Sequence, residues 1–180
     1  MLLFVIYIYI IYNAEEVVKS PTLFPSTKYY KYKCANRQEY IGNEPFMLTY
    51  GDGVCDVDIS ALMDFHKEQG RVVTLTGVQP EGRFGIMDIE GVQIQSFREK
   101  DREDTGWING GYMVVEPTIF DYIDGDDCIL ERKPLETLAA EGRLDCYKHD
   151  GFWQCMDTLR DKEKLEKMIT NGTAPWVYWK

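Results

Sequence analysis

From residue 46 onward, short apolar runs alternate with segments of helical period. Phe46-Met47-Leu48-Thr49-Tyr50 is an apolar run of the length that suits an interior strand. Ile59, Leu62, Met63 and Phe65 recur at helical spacing, which predicts an amphipathic helix over 59–66 with that face on the core and His66 at its exposed end. Gly70 closes it. Residues 71–78 (RVVTLTGV) are rich in β-branched side chains and alternate, predicting a strand that a helical crossover makes parallel to the first. Residues 86–89 and 92–97 read as a hairpin turning at Glu90-Gly91, and 98–104 as a charged loop. Residues 107–115 (WINGGYMVV) read as a strand entered through Asn109-Gly110-Gly111, a flat stretch open to a ligand ring. After it come a short helix at 118–123, a helix at 134–140 opened by Pro134, a strand at 143–148 and an aromatic turn at 151–157. The last element is a surface helix over 158–169 with the apolar stripe Leu159, Leu165, Met168 and Ile169. Strands alternating with helices predict an α/β architecture.

The front of the chain differs. MLLFVIYIYIIY is too short an apolar run to cross a bilayer as a helix, lacks a basic leader region, and is followed by no small-residue cleavage pattern. Its β-branched and aromatic content predicts a buried strand, or a segment foreign to the domain that follows. Residues 13–33, with two prolines and several serines and threonines, read as loop or linker. The expected division is therefore an atypical segment and linker over 1–34 and one domain over 35–180.

Composition narrows the function. At 180 residues the chain suits one domain with its own core. Thirty acidic residues against twenty basic ones give a formal charge of −10, which disfavours nucleic acid and anionic membrane surfaces as partners. The five cysteines are odd in number and form no CxxC pair, and His66 and His149 lack metal-ligand spacing. Neither a disulfide framework nor a zinc site is written in the spacing, and reduced thiols suit a cytoplasmic protein.

The candidate chemistry lies first in TYGDGVCDVD, residues 49–58, where Gly51 and Gly53 bracket Asp52 at the tip of a strand. Glycine on both sides permits a sharp turn and close approach of a ligand, so Asp52 is a candidate for facing a metal or a phosphate. The alternative is a strand-to-helix turn in which Asp56 or Asp58 caps the helix that follows. A calcium module built on Asp52, Asp56, Asp58 and residues 124–127 is disfavoured, because these aspartates follow no EF-hand register.

TYGDGVCDVDI, GRFGIMDIEG, SFREK, WINGGYMVVEP, YIDGDD, PLETLA and YKHDGFWQCMDTLRDKEKLE occur in that order, and together they resemble the glucose-1-phosphate cytidylyltransferases, within the sugar-phosphate nucleotidyltransferase family. The resemblance implies a Rossmann-like mixed sheet of the GT-A-like type. It implies attack of a glucose 1-phosphate oxygen on the α-phosphorus of CTP, giving CDP-glucose and pyrophosphate, with Mg2+ neutralising phosphate oxygens. By the same resemblance Asp52 and Asp157 are the metal ligands, converging at the carboxyl ends of neighbouring strands. Gly51, Gly85, Glu99, Lys100, Asn109 and Gly110 are the implied substrate-binding residues, Lys100 for phosphate charge and Glu99 for sugar hydroxyls. Trp153 is a candidate wall of the sugar site. No residue is assigned as a catalytic acid, base or nucleophile. Asp101 and Cys155 stand where the family pattern has proline. The implied setting is cytoplasmic synthesis of deoxysugars for surface polysaccharide such as O-antigen, without nucleic acid or membrane, in a possible homo-oligomer.

The family begins with a Gly-rich GGxGTR loop and a lysine-proline motif that hold the triphosphate. Residues 1–33 contain no glycine. This predicts a domain truncated at its N-terminal, nucleotide-binding half, with 46–50 and 71–78 left with an exposed flank. The apolar run at 3–12 is the candidate substitute for a lost strand. Activity of the chain by itself is then expected to be negligible, and the alternative is an inactive remnant that binds sugar phosphate or associates with a complete subunit.

Overall fold

The computed structural model describes residues 9–12, 16–17, 41–80, 86–90, 92–98, 106–125 and 128–177. Ten strands and three α-helices follow one another in these segments. They are β1 (Tyr9–Tyr12), β2 (Glu16–Val17), β3 (Phe46–Thr49), β4 (Gly53–Cys55), α1 (Ile59–Gln69), β5 (Val73–Val78), β6 (Ile86–Glu90), β7 (Gln93–Arg98) and β8 (Ile108–Val115). A 3-10 helix (Pro117–Tyr122), α2 (Lys133–Ala140), β9 (Leu144–His149), β10 (Trp153–Cys155) and α3 (Leu159–Thr170) complete the order.

The helices begin and end where their side chains dictate. Asp58 caps α1, its carboxylate accepting from the backbone N–H of Ser60 at 2.9 Å and of Ala61 at 3.0 Å. At the other end Gly70 takes a left-handed φ of 63°, and its N–H bonds to the His66 carbonyl. In α3, Thr158 and Asp161 form a reciprocal capping box. Leu165 of that helix is buried, but Leu159 and Ile169 remain largely exposed, so the expected apolar stripe covers the core only at its centre.

The main sheet has the order β2-β1-β3-β8-β5-β9. All pairs are antiparallel except β5 with β9, which makes the sheet mixed. Because β3 and β5 both run antiparallel to β8, they are parallel to each other, as the crossover through α1 predicts, but β8 lies between them. Neither β3 nor β5 has an open flank: β3 is held between β1 and β8, and β5 between β8 and β9. The expectation of exposed flanks therefore fails, because β8 and β9 from later in the chain flank β5, and β3 lies between β8 and β1 of the opening apolar run. β1 pairs with β3 from Tyr9 opposite Thr49 to Ile11 opposite Met47, so part of the apolar opening run does join the sheet. Within the segment expected to be linker, Glu16–Val17 pairs back on β1. β6 and β7 form the expected hairpin.

One face of the sheet carries a continuous core of Ile41, Phe46, Leu48, Val72, Val73, Met113, Val115, Ile119, Leu130, Leu135 and Leu138. Phe120 of the 3-10 helix stacks on Phe46 with ring centroids 6.2 Å apart. His66 departs from expectation. It is 1 % exposed, its Nδ1 lies 2.8 Å from the Thr74 hydroxyl and its Nε2 lies 3.2 Å from the Glu116 carboxylate. Four residues after Leu62, it stands on the buried face of α1, and partners on both ring nitrogens make that burial tolerable. Among the described residues no helix is long and apolar enough to cross a membrane.

Candidate active site

The site is built on an irregularity in β8. Opposite β5 the register moves from Leu75 facing Met113 to Gly77 facing Asn109, a bulge that occupies Gly110 and Gly111. Glycine is required at both positions for different reasons. Gly111 has a φ of 82°, and a Cβ there would lie 3.0 Å from the Tyr50 ring. At Gly110 a Cβ would lie 2.9 Å from Val78 Cγ1 and 3.0 Å from the Thr76 carbonyl oxygen. At these two glycines the space a Cβ would take is filled by Tyr50, Val78 and the Thr76 carbonyl.

The bulge turns carbonyl groups out of the ladder, and a second, two-stranded sheet uses them. The Trp153 indole N–H donates to the Gly110 carbonyl at 2.8 Å, and the Tyr50 N–H to the Gly111 carbonyl at 2.9 Å. The Tyr112 hydroxyl donates to the Gly53 carbonyl at 2.9 Å. Inside the bulge, the Asn109 amide oxygen accepts the Gly111 N–H at 2.9 Å. The Trp153 and Tyr112 bonds sew the ribbon formed by β4 and β10 onto β8.

The ribbon pairs Gly53 with Cys155, Val54 with Gln154 and Cys55 with Trp153. Continued by one residue, it sets Asp52 opposite Met156, whose N–H donates to the Asp52 carbonyl at 2.7 Å. Asp52 and Asp157 thus arrive at the same end of one ribbon. The meeting is not at neighbouring strand ends of the main sheet, as expected, because β3 and β9 stand apart in it. A short strand at 153–155, hidden within the segment read as an aromatic turn, makes the connection. Asp52 is half-buried and Asp157 exposed. The Cys155 thiol donates to Asp157 Oδ2 at 3.1 Å, so a side-chain hydrogen bond orients that carboxylate. Gly51 lies exposed in the turn before Asp52. Gly85, Glu99 and Lys100 lie outside the described residues.

Sequence spacing gave no signal for a third grouping. At the opposite end of the ribbon, His149 Nε2 lies 2.8 Å from Asp56 Oδ1, which also accepts the Phe152 N–H at 2.7 Å. Burial pushes the neighbouring Cys55 thiol up to about 11. These side chains come from β4 and from the end of β9, strands distant in sequence.

Residues 31–158 match the family described as nucleotidyl transferase. The chain belongs to that family. It is 51% identical over 142 residues to the glucose-1-phosphate cytidylyltransferase of Salmonella typhi, covering 78% of this chain and 55% of the relative. The mannose-1-phosphate guanylyltransferase catalytic subunit beta of Dictyostelium discoideum is 32% identical over 130 residues, covering 69% of this chain and 36% of that one. The chain thus spans about half the length of its Salmonella relative. Among solved structures, HddC from Yersinia pseudotuberculosis superposes with a TM-score of 0.55 at 21% identity, over 75% of this chain and 60% of HddC. That likeness concerns the fold, a mixed α/β sheet shared across nucleotidyltransferases.

Proposed function

We propose that the chain carries the sugar-phosphate and metal side of a glucose-1-phosphate cytidylyltransferase site. The observation that carries this reading is the ribbon end that carries both Asp52 and Asp157, tied by Trp153 to the bulge at Gly110 and Gly111. The 51% identity to the Salmonella typhi glucose-1-phosphate cytidylyltransferase supports the cytidylyl reaction over the others of the family.

The donor chemistry at that end fits Mg2+, which takes oxygen ligands and retains several waters, so that two carboxylates suffice to hold it. When bound, the ion neutralises phosphate oxygens as charge develops on them. The chain's own part is to hold and orient. Asp52 is fixed by its place in the turn and its bonded carbonyl, and Asp157 by the Cys155 thiol. The Asn109 amide oxygen is committed to the bulge, so a contact with a sugar hydroxyl falls to its amide nitrogen. Lys100, Glu99, Gly85 and Gly51 are assigned to the sugar phosphate by resemblance alone. CDP-glucose made at such a site would serve cytoplasmic deoxysugar and surface-polysaccharide synthesis.

A second reading rests on residues 1–33, which hold no glycine from which to build a triphosphate loop. On that reading the 180-residue chain binds glucose 1-phosphate, or associates with a complete subunit, without turnover. One experiment separates the two. Purified chain is given CTP, glucose 1-phosphate and Mg2+, pyrophosphate release is followed, and glucose 1-phosphate binding is measured by calorimetry, beside an Asp52→Ala, Asp157→Ala double variant. No turnover with a Mg2+-dependent binding signal that the double variant loses is the outcome expected of the second reading. Turnover abolished in the double variant would show a complete site in this chain. Absence of both turnover and binding from folded protein would refute the transferase reading.

A further inference from the structure

We propose that Cys55, Asp56 and His149 form a site for a thiophilic divalent cation, Zn2+ by its donor set, separate from the carboxylate pair at the other end of the ribbon. One ligand atom from each residue lies within 4.8 Å of the others. A thiolate, an imidazole and a carboxylate are the three ligand types of protein zinc sites, whereas Mg2+ avoids sulfur. Zinc bonds of about 2.0–2.3 Å set tetrahedral ligand atoms under about 4 Å apart, so closure takes inward movement on the order of 1 Å.

The site is already organised around a position that a cation can take. His149 Nε2 and Asp56 Oδ1 face each other at 2.8 Å across a hydrogen bond. A cation takes the place of the proton between them, the neutral imidazole then carrying its proton on Nδ1, and the Cys55 thiol gives its proton to solvent as sulfur coordinates. The Phe152 N–H, 2.7 Å from Asp56 Oδ1, is the outer partner that aims the carboxylate. Gly151 leaves the necessary room. A Cβ there would lie 2.5 Å from Asp56 Oδ1 and 2.7 Å from His149 Nε2. Both groups are largely shielded, with side chains 12 % exposed for His149 and 26 % for Asp56.

Such an ion would join Cys55 at the end of β4 to His149 at the end of β9, clamping the base of the ribbon that carries Asp52 and Asp157. Three protein ligands leave a fourth position for water. The inference stands on these side chains and holds whether or not the transferase reading does.

The test is binding by the intact chain in excess Mg2+, with Zn2+ measured by equilibrium dialysis and Co2+ as a spectroscopic substitute. One Zn2+ per chain and a thiolate-to-cobalt charge-transfer band are expected. Cys55→Ser should abolish the band and His149→Gln should weaken Zn2+ binding at least tenfold, while Cys155→Ser leaves both intact. Circular dichroism checks that each variant is folded. No stoichiometric Zn2+, a band that survives Cys55→Ser, or a band lost in Cys155→Ser would overturn the proposal. X-ray absorption on the unmodified chain decides the matter if Cys55→Ser fails to fold. One sulfur at about 2.3 Å with nitrogen and oxygen neighbours supports the site, and any other sulfur count overturns it.

Discussion

The central sheet has two unlike ends. Where β3 and β5 begin and β8 finishes, Phe46, Val73 and Val115 pack with Ile119, Leu135 and Leu138, all of them nearly inaccessible to water. Where β3 and β5 finish and β8 begins, the contacts are hydrogen bonds to the carbonyls of Gly53, Gly110 and Gly111. Apolar packing tolerates exchange of shapes at a graded cost, since each lost contact is small. Backbone sewing tolerates less, because the partner strand must come close enough for a carbonyl to be reached, and a Cβ prevents that.

Three substitutions put this contrast at risk, in descending order of effect. Leu138→Ala removes a side chain that is 0 % exposed, and should lower unfolding free energy by about 2–5 kcal/mol in a denaturant titration. A loss under 1 kcal/mol would mean that α2 is not part of the cooperative core. Gly110→Ala places a Cβ 3.0 Å from the Thr76 carbonyl oxygen, which cannot swing aside as a side chain can, and should cost about 1–3 kcal/mol. Tryptophan emission should shift with it, since Trp153 loses its carbonyl partner. Unchanged emission would show that the ribbon does not depend on the bulge. Thr76→Val is the smallest and has the opposite sign. Among the described residues the buried Thr76 hydroxyl has no hydrogen-bond partner, so its replacement by a methyl should raise the melting temperature, by up to about 1 kcal/mol of stability. A fall instead would reveal a bound water or an unseen partner at that hydroxyl.

Much of the fold was legible along the chain. The apolar run at 46–50, the helix over 59–66 closed by Gly70 and the strand at 71–78 are each found within a few residues of their predicted limits. Periodicity and caps are local, so they survive without knowledge of neighbours. His66 shows where that stops. Its position after Leu62 placed it on the inner face, but only Thr74 and Glu116, from two other strands and their ends, make a buried imidazole acceptable. The open flanks expected beside β3 and β5 failed for the same reason, because strand order depends on which distant segments, earlier or later in the chain, pair beside them.

For the site, motifs brought Asp52 and Asp157 into one reading, and glycine spacing marked Asn109-Gly110-Gly111 as the flat entry of a strand, where the structure has a bulge. They did not reveal the ribbon. β4 and β10 are three residues each, too short for alternation to distinguish them from turns, and each is a strand only because the other pairs with it. Nor could spacing join Cys55 and Asp56 to His149, which meet through the approach of β4 to the end of β9.

The sequence by itself determined the α/β alternation, the helix limits and the family, because these rest on short-range periodicity, capping chemistry and motif order. Only the tertiary structure decided the strand order, the burial of His66, the pairing that gathers the two aspartates and the cysteine–aspartate–histidine cluster. Each of those depends on hydrogen bonds between segments far apart in the chain, and the partner's position exists only once the sheet has formed.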